Sequence, residues 1–333
     1  MAQMDAELKE RMERMRDIRK KQEQEGLFPE PLPYEPEVKA PTPQQQSSVK
    51  RSGATKAPIV VEPVDETTEA KVIPFPNGNR VPNDCWTMTP DIIRSALFGV
   101  VKRGQRDFLE NALICAVGDT EIRFTGRRLD QADMDVFMHA LSLSREGGLG
   151  ATVYFSKHSF LKSLNRKKSM QSYQWLEESL NRLSTCSLRI RTKRYKIVGS
   201  LIDTFMEDEN TGEYYLRFSP EISKALEFQT FIPHQGRLKL GRSELAKWLY
   251  SYILSQDTSK KSHTVWSKTL QELTGSNSCI KKFNQNIKKA FQTLEQKIPD
   301  FLESWSIVQG KIKFRKKAHK QPIAGSEIAG TNW

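Results

Sequence analysis

Apolar residues recur at helical spacing in the middle of the chain and predict three successive helices. Residues 131–146 carry apolar side chains along one face. Residues 156–165 predict a short helix that Ser156 can cap, and residues 169–186 predict a longer one. The polar segment 166–169 between them has the length of a tight turn. The order is that of a helix-turn-helix unit preceded by a further helix.

Alternating residues follow the longer helix and predict β-structure. Between residues 187 and 198, Leu188 and Ile190 alternate with basic residues, which predicts a basic strand in the first hairpin. Two further strands are predicted at 200–208 and 213–219, joined by an Asn-Thr-Gly turn.

The same order of patterns recurs in the C-terminal part. Residues 241–256 predict a helix, residues 264–276 a short helix, and residues 278–298 a long helix with apolar positions on one side. Residues 303–317 predict a hairpin that turns at Gln309–Gly310. A hairpin appended to a helix-turn-helix makes a winged helix, so the sequence predicts an α+β fold with two tandem winged-helix domains.

Two shorter patterns precede these units. Residues 90–101 (PDIIRSALFGVV) have helical spacing, and residues 110–130 predict a pair of short strands joined at Gly118–Asp119. In the second helix of each unit, we expect the apolar residues to face the core, with Ile280 and Phe283 among them.

Composition changes near Asp84. Eleven of the 16 prolines lie before this residue, and all six tryptophans lie after it. Residues 26–84 are too polar to offset the entropy of ordering them. The sequence therefore predicts a mostly disordered tail with a marginal charged helix at its start (1–84), a first winged-helix domain (85–235), a second (236–320) and a disordered C-terminus (321–333).

The charge of the chain indicates an anionic binding partner. The chain has 52 Lys and Arg against 40 Asp and Glu, a net charge of +12. Residues 151–200 hold eleven basic and two acidic residues, and residues 277–320 hold eleven basic and three acidic residues. The two units thus exceed the net charge of the whole chain, which favours double-stranded DNA as the partner.

The start of the second helix in each unit is where bases are read, because this part enters the major groove. Arg, Lys, Asn and Gln form the paired hydrogen bonds that distinguish bases there. A solvated helix face is the alternative for these residues. The exposed polar candidates are Arg166, Lys167, Lys168, Ser169, Gln171, Ser172 and Gln174 in the first unit, and Asn277, Ser278, Lys281, Lys282, Asn284, Gln285 and Lys288 in the second.

Both predicted hairpins are basic and suit phosphate contacts, which position a protein on DNA without specifying sequence. We expect the alternating Arg189, Arg191 and Lys193 to contact phosphates in the first unit, and Lys311 and Lys313 in the second. The remaining basic residues of the two hairpins are Arg194, Lys196, Arg315, Lys316 and Lys317.

Signatures of enzymes and membrane proteins are missing from the sequence. It contains no GxxxxGK[ST], GxSxG or HExxH motif, and the four cysteines and five histidines show no metal-ligand spacing. We therefore expect no catalytic residues, metal or cofactor. Because no apolar run approaches the roughly 20 residues that span a bilayer, and the charged N-terminus lacks a signal peptide, we expect a cytoplasmic protein without membrane contact.

A short motif in the tail suggests a protein partner. Gln24, Leu27 and Phe28 have the spacing Q-x-x-L-F. On a flexible segment, the Leu–Phe pair can fill a small apolar pocket while the glutamine hydrogen-bonds at its edge. The motif resembles the one by which bacterial replication proteins bind the polymerase sliding clamp, although so short a pattern also arises by chance.

Four stretches between Val81 and Lys317 resemble TrfA-type plasmid replication initiators. They are PDIIRSALFGVVKRG, EIRFTGRRLDQADMDVF, WLEESLNRLSTCSLRI and RSELAKWLYSYILS. The resemblance implies a non-enzymatic protein that binds repeated origin sites (iterons), helps to open an AT-rich region and recruits the host helicase and sliding clamp. It also implies an exchange between monomers and homodimers. A winged-helix transcriptional repressor is the main alternative, whereas a nuclease or recombinase conflicts with the missing signatures.

Overall fold

A computed structural model describes residues 72–101, 106–118, 120–192, 195–208, 211–222, 226, 229–256 and 262–317. Several predictions fall outside these residues: the tail as far as residue 71 with its Gln24, Leu27 and Phe28 motif, Lys193 and Arg194 in the basic hairpin, and the C-terminal segment after Lys317.

The described part of the chain alternates short strands with helices. Its α-helices are α1 (Pro90–Ile93), α2 (Gln131–Leu143), α3 (Lys157–Ser163), α4 (Met170–Thr185), α5 (His234–Lys239), α6 (Glu244–Leu254), α7 (Ser267–Leu273) and α8 (Ile280–Lys297). Its strands are β1 (Cys85–Met88), β2 (Phe98–Gly99), β3 (Phe108–Ile114), β4 (Glu121–Arg127), β5 (Leu129–Asp130), β6 (Thr152–Ser156), β7 (Ser187–Arg191), β8 (Lys196–Gly199), β9 (Thr204–Glu207), β10 (Glu213–Arg217), β11 (Thr230–Pro233), β12 (His263–Trp266), β13 (Leu302–Val308) and β14 (Lys311–Lys316).

The first winged helix consists of α2, β6, α3, α4 and the β9–β10 hairpin. Asp130 and Asp133 form a capping box that starts α2. Strand β6 runs directly into α3 and pairs with β10, which gives a three-stranded sheet in the order β6-β10-β9. Leu176, Leu180 and Leu183 bury one face of α4 against this unit.

The second winged helix repeats this arrangement with α6, β12, α7, α8 and the β13–β14 hairpin. Its sheet has the order β12-β14-β13, so β12 takes the place that β6 has in the first unit. Gln309 and Gly310, with φ of 48° and 76°, form the predicted turn of the hairpin. The prediction of an α+β fold with two tandem winged helices is confirmed.

The first wing was predicted in the wrong place. The basic hairpin β7–β8 pairs through β7 with β4 and belongs to a four-stranded sheet in the order β3-β4-β7-β8. The hairpin that completes the first winged helix is β9–β10, farther along the chain. The alternation of Leu188 and Ile190 with arginines predicted one strand over residues 187–198, but the structure divides this stretch into β7 and β8. Alternation also does not say which sheet a strand joins.

Three local predictions also need correction. Residues 263–266 form β12, so the short helix α7 begins only at Ser267. In residues 90–101, the helix ends at Ile93 and the chain continues into β2. Ile280 does not face the core, because 44% of its surface is exposed, whereas Phe283 is buried.

Buried charges join the two units. The guanidinium of fully buried Arg237 donates from Nε to Asp135 on α2 (2.5 Å) and from Nη1 to the hydroxyl of Ser251 on α6 (2.7 Å). Lys247, also on α6, donates to the same carboxylate of Asp135. Strand β11 pairs with β1, and helix α5 follows β11 directly. The predicted boundary between residues 235 and 236 therefore falls inside α5.

Candidate nucleic-acid interface

The first candidate reading surface lies where α4 begins. Asn165 adopts a left-handed conformation (φ 54°) in the turn after α3, a region that Asn tolerates better than most residues. The hydroxyl of Ser169 caps α4 by accepting the backbone N–H of Ser172 (3.2 Å). Around this cap the side chains of six predicted residues are exposed, and Ser172 is half-buried; the six are Arg166, Lys167, Lys168, Ser169, Gln171 and Gln174.

Arg166 is held against an aromatic ring. Its guanidinium carbon lies 3.2 Å from the ring centre of Trp175, which is itself half-buried against the core. Although much of the side chain is exposed, partial desolvation of the guanidinium lowers the pKa of Arg166. Because stacking fixes the guanidinium beside the start of α4, Arg166 is positioned for a phosphate or a base with little loss of side-chain freedom on binding.

The second candidate reading surface lies where α8 begins. Gly275, with φ of 65°, turns the chain after α7, and the side chain of Gln271 donates to the carbonyl of Ser278 across this turn. Ser278 is half-buried. The exposed predicted residues on this surface are Asn277, Lys281, Lys282, Gln285 and Lys288.

Asn284 differs from its neighbours on α8. Its side-chain oxygen accepts a hydrogen bond from the hydroxyl of buried Ser267 at the start of α7, and the residue is half-buried. This bond joins the two helices of the helix-turn-helix. It leaves the amide N–H groups of Asn284 for DNA but occupies the acceptor that a paired contact with adenine would need.

The second wing is basic. Along β14, Ile312 and Phe314 are buried while Lys313 and Arg315 are exposed. The ammonium of Lys311 lies 4.7 Å from the ring centre of Trp266. Arg315 pairs with Glu303 on β13 at 2.8 Å. Lys313 is therefore the best placed of these side chains to contact a phosphate.

The first wing, by contrast, is acidic. The β9–β10 hairpin carries Glu207, Asp208 and Glu213, and Glu207 pairs with Lys157 on α3. Arg217 at the end of β10 pairs with Asp203 at 3.1 Å. Carboxylates at this position would repel phosphates, so this wing is a poorer candidate for phosphate contacts than the start of α4.

The basic residues predicted for the first wing lie on the four-stranded sheet. Arg189, Arg191 and Lys196 are exposed on its outer face, whereas Leu188 and Ile190 are buried beneath it. Arg123 of β4 is directly opposite Arg189 in the sheet and pairs with Glu121 at 2.8 Å. These residues form a second basic surface, separate from the hairpin of the winged helix.

Asp133, near the start of α2, pairs with two arginines of the first unit. Arg106 and Arg182 contact Asp133 at 2.7 and 2.8 Å. Burial alone would raise the pKa of Asp133, but the two guanidinium groups hold it below its usual value. The sequence predicted Asp133 only as part of a helix, because the partners of its carboxylate come from distant segments.

Glu244 connects the two units at the N-terminal ends of α2 and α6. Its carboxylate accepts the backbone N–H of Gln131 at 2.9 Å. Burial, together with the charge of Asp130, raises the pKa of Glu244 to about 7. Nearby, Arg128 donates to the carbonyl of Gly275 at 3.0 Å, which fixes the turn of the second helix-turn-helix against the first unit.

Within the described residues, His, Cys, Asp and Glu side chains do not cluster in groups of three or more that could hold a metal ion. None of the described helices is both long and apolar enough to cross a membrane. The geometry of the described region is that of a binding surface on two winged helices.

The fold defines a tandem winged-helix protein, with two candidate reading helices, α4 and α8. A family model described as replication initiator protein A matches residues 119–302, which is more than half of the chain. The chain belongs to the replication initiator protein A family. The resemblance to plasmid replication initiators is thereby confirmed.

Solved structures of other proteins align with the chain at low identity. A structure of domains 2 and 3 of RctB has 12% identity, covers 69% of this chain and 98% of its own, and gives a TM-score of 0.48. The Pi initiator protein in complex with iteron DNA has 14% identity. The match covers 52% of this chain and 83% of the Pi chain, with a TM-score of 0.42. No curated protein matches the chain. The family assignment therefore depends on the family model alone.

Proposed function

We propose that this replication initiator binds double-stranded DNA at repeated sites of a plasmid origin, with α4 and α8 in successive major grooves. The observation that carries the proposal is the pair of winged helices, each with exposed Lys, Arg or Gln side chains around the start of its reading helix. Two such helices on one face of DNA contact grooves about 10 bp apart, so one chain covers about two turns.

The two units contribute differently in this proposal. The unit at residues 236–320 reads bases with α8 and contacts phosphates with Lys313 and its neighbours on the wing. The unit at residues 85–235 reads bases with α4, and Arg166 on Trp175 contacts the backbone nearby. The acidic β9–β10 hairpin of this unit stays away from the phosphates.

Initiation then follows from binding rather than catalysis. Several copies on tandem repeats bend and strain the duplex, and binding energy opens an adjacent AT-rich region. We further propose that the Gln24, Leu27 and Phe28 motif binds the host sliding clamp, and that the chain recruits the host replicative helicase and exchanges between monomer and homodimer. These steps take place in the cytoplasm, where plasmid DNA is. A transcriptional repressor would have a similar reading surface, and the family match is what favours initiation.

The test compares affinity for specific and random DNA, with the specific site obtained by selection from a random pool. Replacing Lys281 and Gln285 with Ala removes two exposed side chains from the start of α8. We expect a loss of about 10-fold or more on the selected site, since each good paired contact contributes roughly 1–3 kcal/mol of discrimination. The loss on random DNA should be smaller.

The matched control is Lys297→Ala, which removes an exposed lysine from the far end of the same helix. It should leave the ratio of specific to random affinity unchanged. An equal loss on both DNAs in the Lys281 and Gln285 variant would contradict base reading by α8. Failure of the wild-type chain to prefer any sequence would contradict the proposed function.

A further inference from the structure

Each reading helix begins with an exposed apolar residue. Met170 is the first residue of α4 and is 73% exposed, and Ile280 is the first residue of α8 and is 44% exposed. Neither lies in the hydrophobic core. The exposed side chains that follow them, Gln171 on α4 and Lys281 on α8, are polar.

Single apolar residues are common on protein surfaces and need no function by themselves. Here, however, the same feature occurs in both winged helices, at the first residue of the corresponding helix. That position is the part of a reading helix that enters the major groove. An apolar group in the major groove would account for an apolar residue at this position in both helices.

The major groove offers one such target. The C5-methyl group of thymine projects into it and distinguishes thymine from cytosine by apolar contact. A thioether chain such as that of Met170 adapts its shape to a methyl group, whereas the branched side chain of Ile280 presents a rigid surface. Both side chains would bury their remaining exposed surface when DNA is bound.

We propose that Met170 and Ile280 each contact a thymine methyl group, one in each half of the DNA site. This inference rests on the proposed function and makes it more specific. It adds a preference for thymine at two positions to the hydrogen-bonded readout by neighbouring polar side chains. It also explains why these two positions are not occupied by another lysine or glutamine.

Uracil substitution tests the proposal on the DNA side. Deoxyuridine lacks the methyl group but keeps every hydrogen-bonding atom of thymine in the groove. In the selected site, each thymine is replaced singly by deoxyuridine, and the Kd of the full chain is measured by fluorescence anisotropy at fixed salt. We expect about a fourfold loss of affinity at one thymine in each half-site, the effect of burying one methyl-sized group.

Protein variants test the same contact from the other side. Met170→Ala should weaken binding to thymine DNA and abolish the uracil effect in one half-site, while Ile280→Ala should do the same in the other. Met170→Leu should retain most of the effect in its half-site. The matched control is Met206→Ala on β9, where a methionine is 51% exposed outside the reading helices. It should change neither affinity nor the response to uracil.

Two outcomes would overturn the inference alone. One is specific binding by the wild-type chain with no loss at any deoxyuridine. The other is a uracil effect that persists unchanged in both alanine variants, because another residue then contacts the methyl group. Absence of specific binding by the wild-type chain would instead overturn the proposed function, and this inference with it. The wild-type measurements need no variant to fold.

Discussion

At the scale of single residues, the strongest constraints are buried charges that the fold brings together. Arg237 has no exposed surface and donates to Asp135, Ser251 and the carbonyl of Lys247. A buried ion pair contributes little compared with an apolar pair of the same shape. Removing Arg237 is costly, however, because buried Asp135 then keeps only Lys247 as a charged partner, and the carbonyl of Lys247 and the hydroxyl of Ser251 lose their buried donor.

Arg237→Met should therefore lower the free energy of unfolding by about 3–5 kcal/mol. Urea denaturation at neutral pH measures this change. The matched control is Arg315→Ala, which removes an arginine from an exposed pair with Glu303 whose side chains are 44% and 48% exposed. Exposed pairs contribute about 0–1 kcal/mol, so equal losses in the two variants would contradict the role assigned to Arg237.

His139 makes the protein sensitive to acid. Burial, assisted by the charge of His234, lowers the pKa of His139 to about 4, and its ring lies 4.5 Å from that of Phe160. In the unfolded chain its pKa is about 6.5, so the unfolded state binds the proton first. This stability is fully present above pH 6.5 and is lost as the pH falls towards 4.

His139→Gln removes this titration. From pH 7 to pH 5, wild-type protein should lose about 2 kcal/mol more unfolding free energy than the variant, since one pKa unit corresponds to 1.36 kcal/mol. Urea denaturation at the two pH values gives the difference for each protein. Equal losses would mean that His139 is not neutral in the folded state, or that other groups carry the acid response.

At the scale of elements, the two winged helices share a plan but differ in the charge of their wings. The β13–β14 hairpin presents Lys313, and the β9–β10 hairpin presents Glu213. A side chain that contacts a phosphate releases a counterion, so its loss reduces the salt dependence of binding. The two wings should therefore differ in how removal of a charge changes the salt dependence of binding.

Lys313→Ala should reduce the slope of log K against log salt by about 1 and weaken specific and random binding alike. Glu213→Ala, the matched change on the first wing, should leave the slope unchanged and affinity equal or higher. Anisotropy titrations from low to moderate salt measure both slopes. A reduced slope in the Glu213 variant would indicate that the first wing contacts DNA through a different surface.

Much of this arrangement follows from the sequence at the level of elements. Periodicity identified α4, α8 and the hairpin at Gln309–Gly310, because apolar spacing and turn residues are local signals. It missed β12, since a four-residue strand leading directly into a helix has too few residues to show alternation. The first wing was misplaced because strand pairing depends on distant segments, and the partners of Asp133 and Arg237 were missed for the same reason.

At the scale of the whole molecule, the two reading helices are held in one arrangement. Asp135 binds Arg237 and Lys247 across the junction, Glu244 accepts the N–H of Gln131, and Arg128 donates to Gly275. Inserting 5 bp between the half-sites rotates one of them by about half a helical turn. Both helices can then no longer enter their grooves together.

We expect this insertion to reduce affinity by at least about 10-fold, towards that of one winged helix alone. The measurement is a Kd for the original and the lengthened site, with a site that carries the same 5 bp outside the two half-sites as control. Unchanged affinity would show that the junction opens and lets the units bind independently.

The buried cluster around Asp135 also has a consequence for how an origin can change over time. A base substitution removes one contact, and the rest of the interface stays in register. An inserted or deleted base shifts a whole half-site relative to a protein whose buried charges resist deformation. The length between half-sites should therefore tolerate less variation among related origins than the bases themselves.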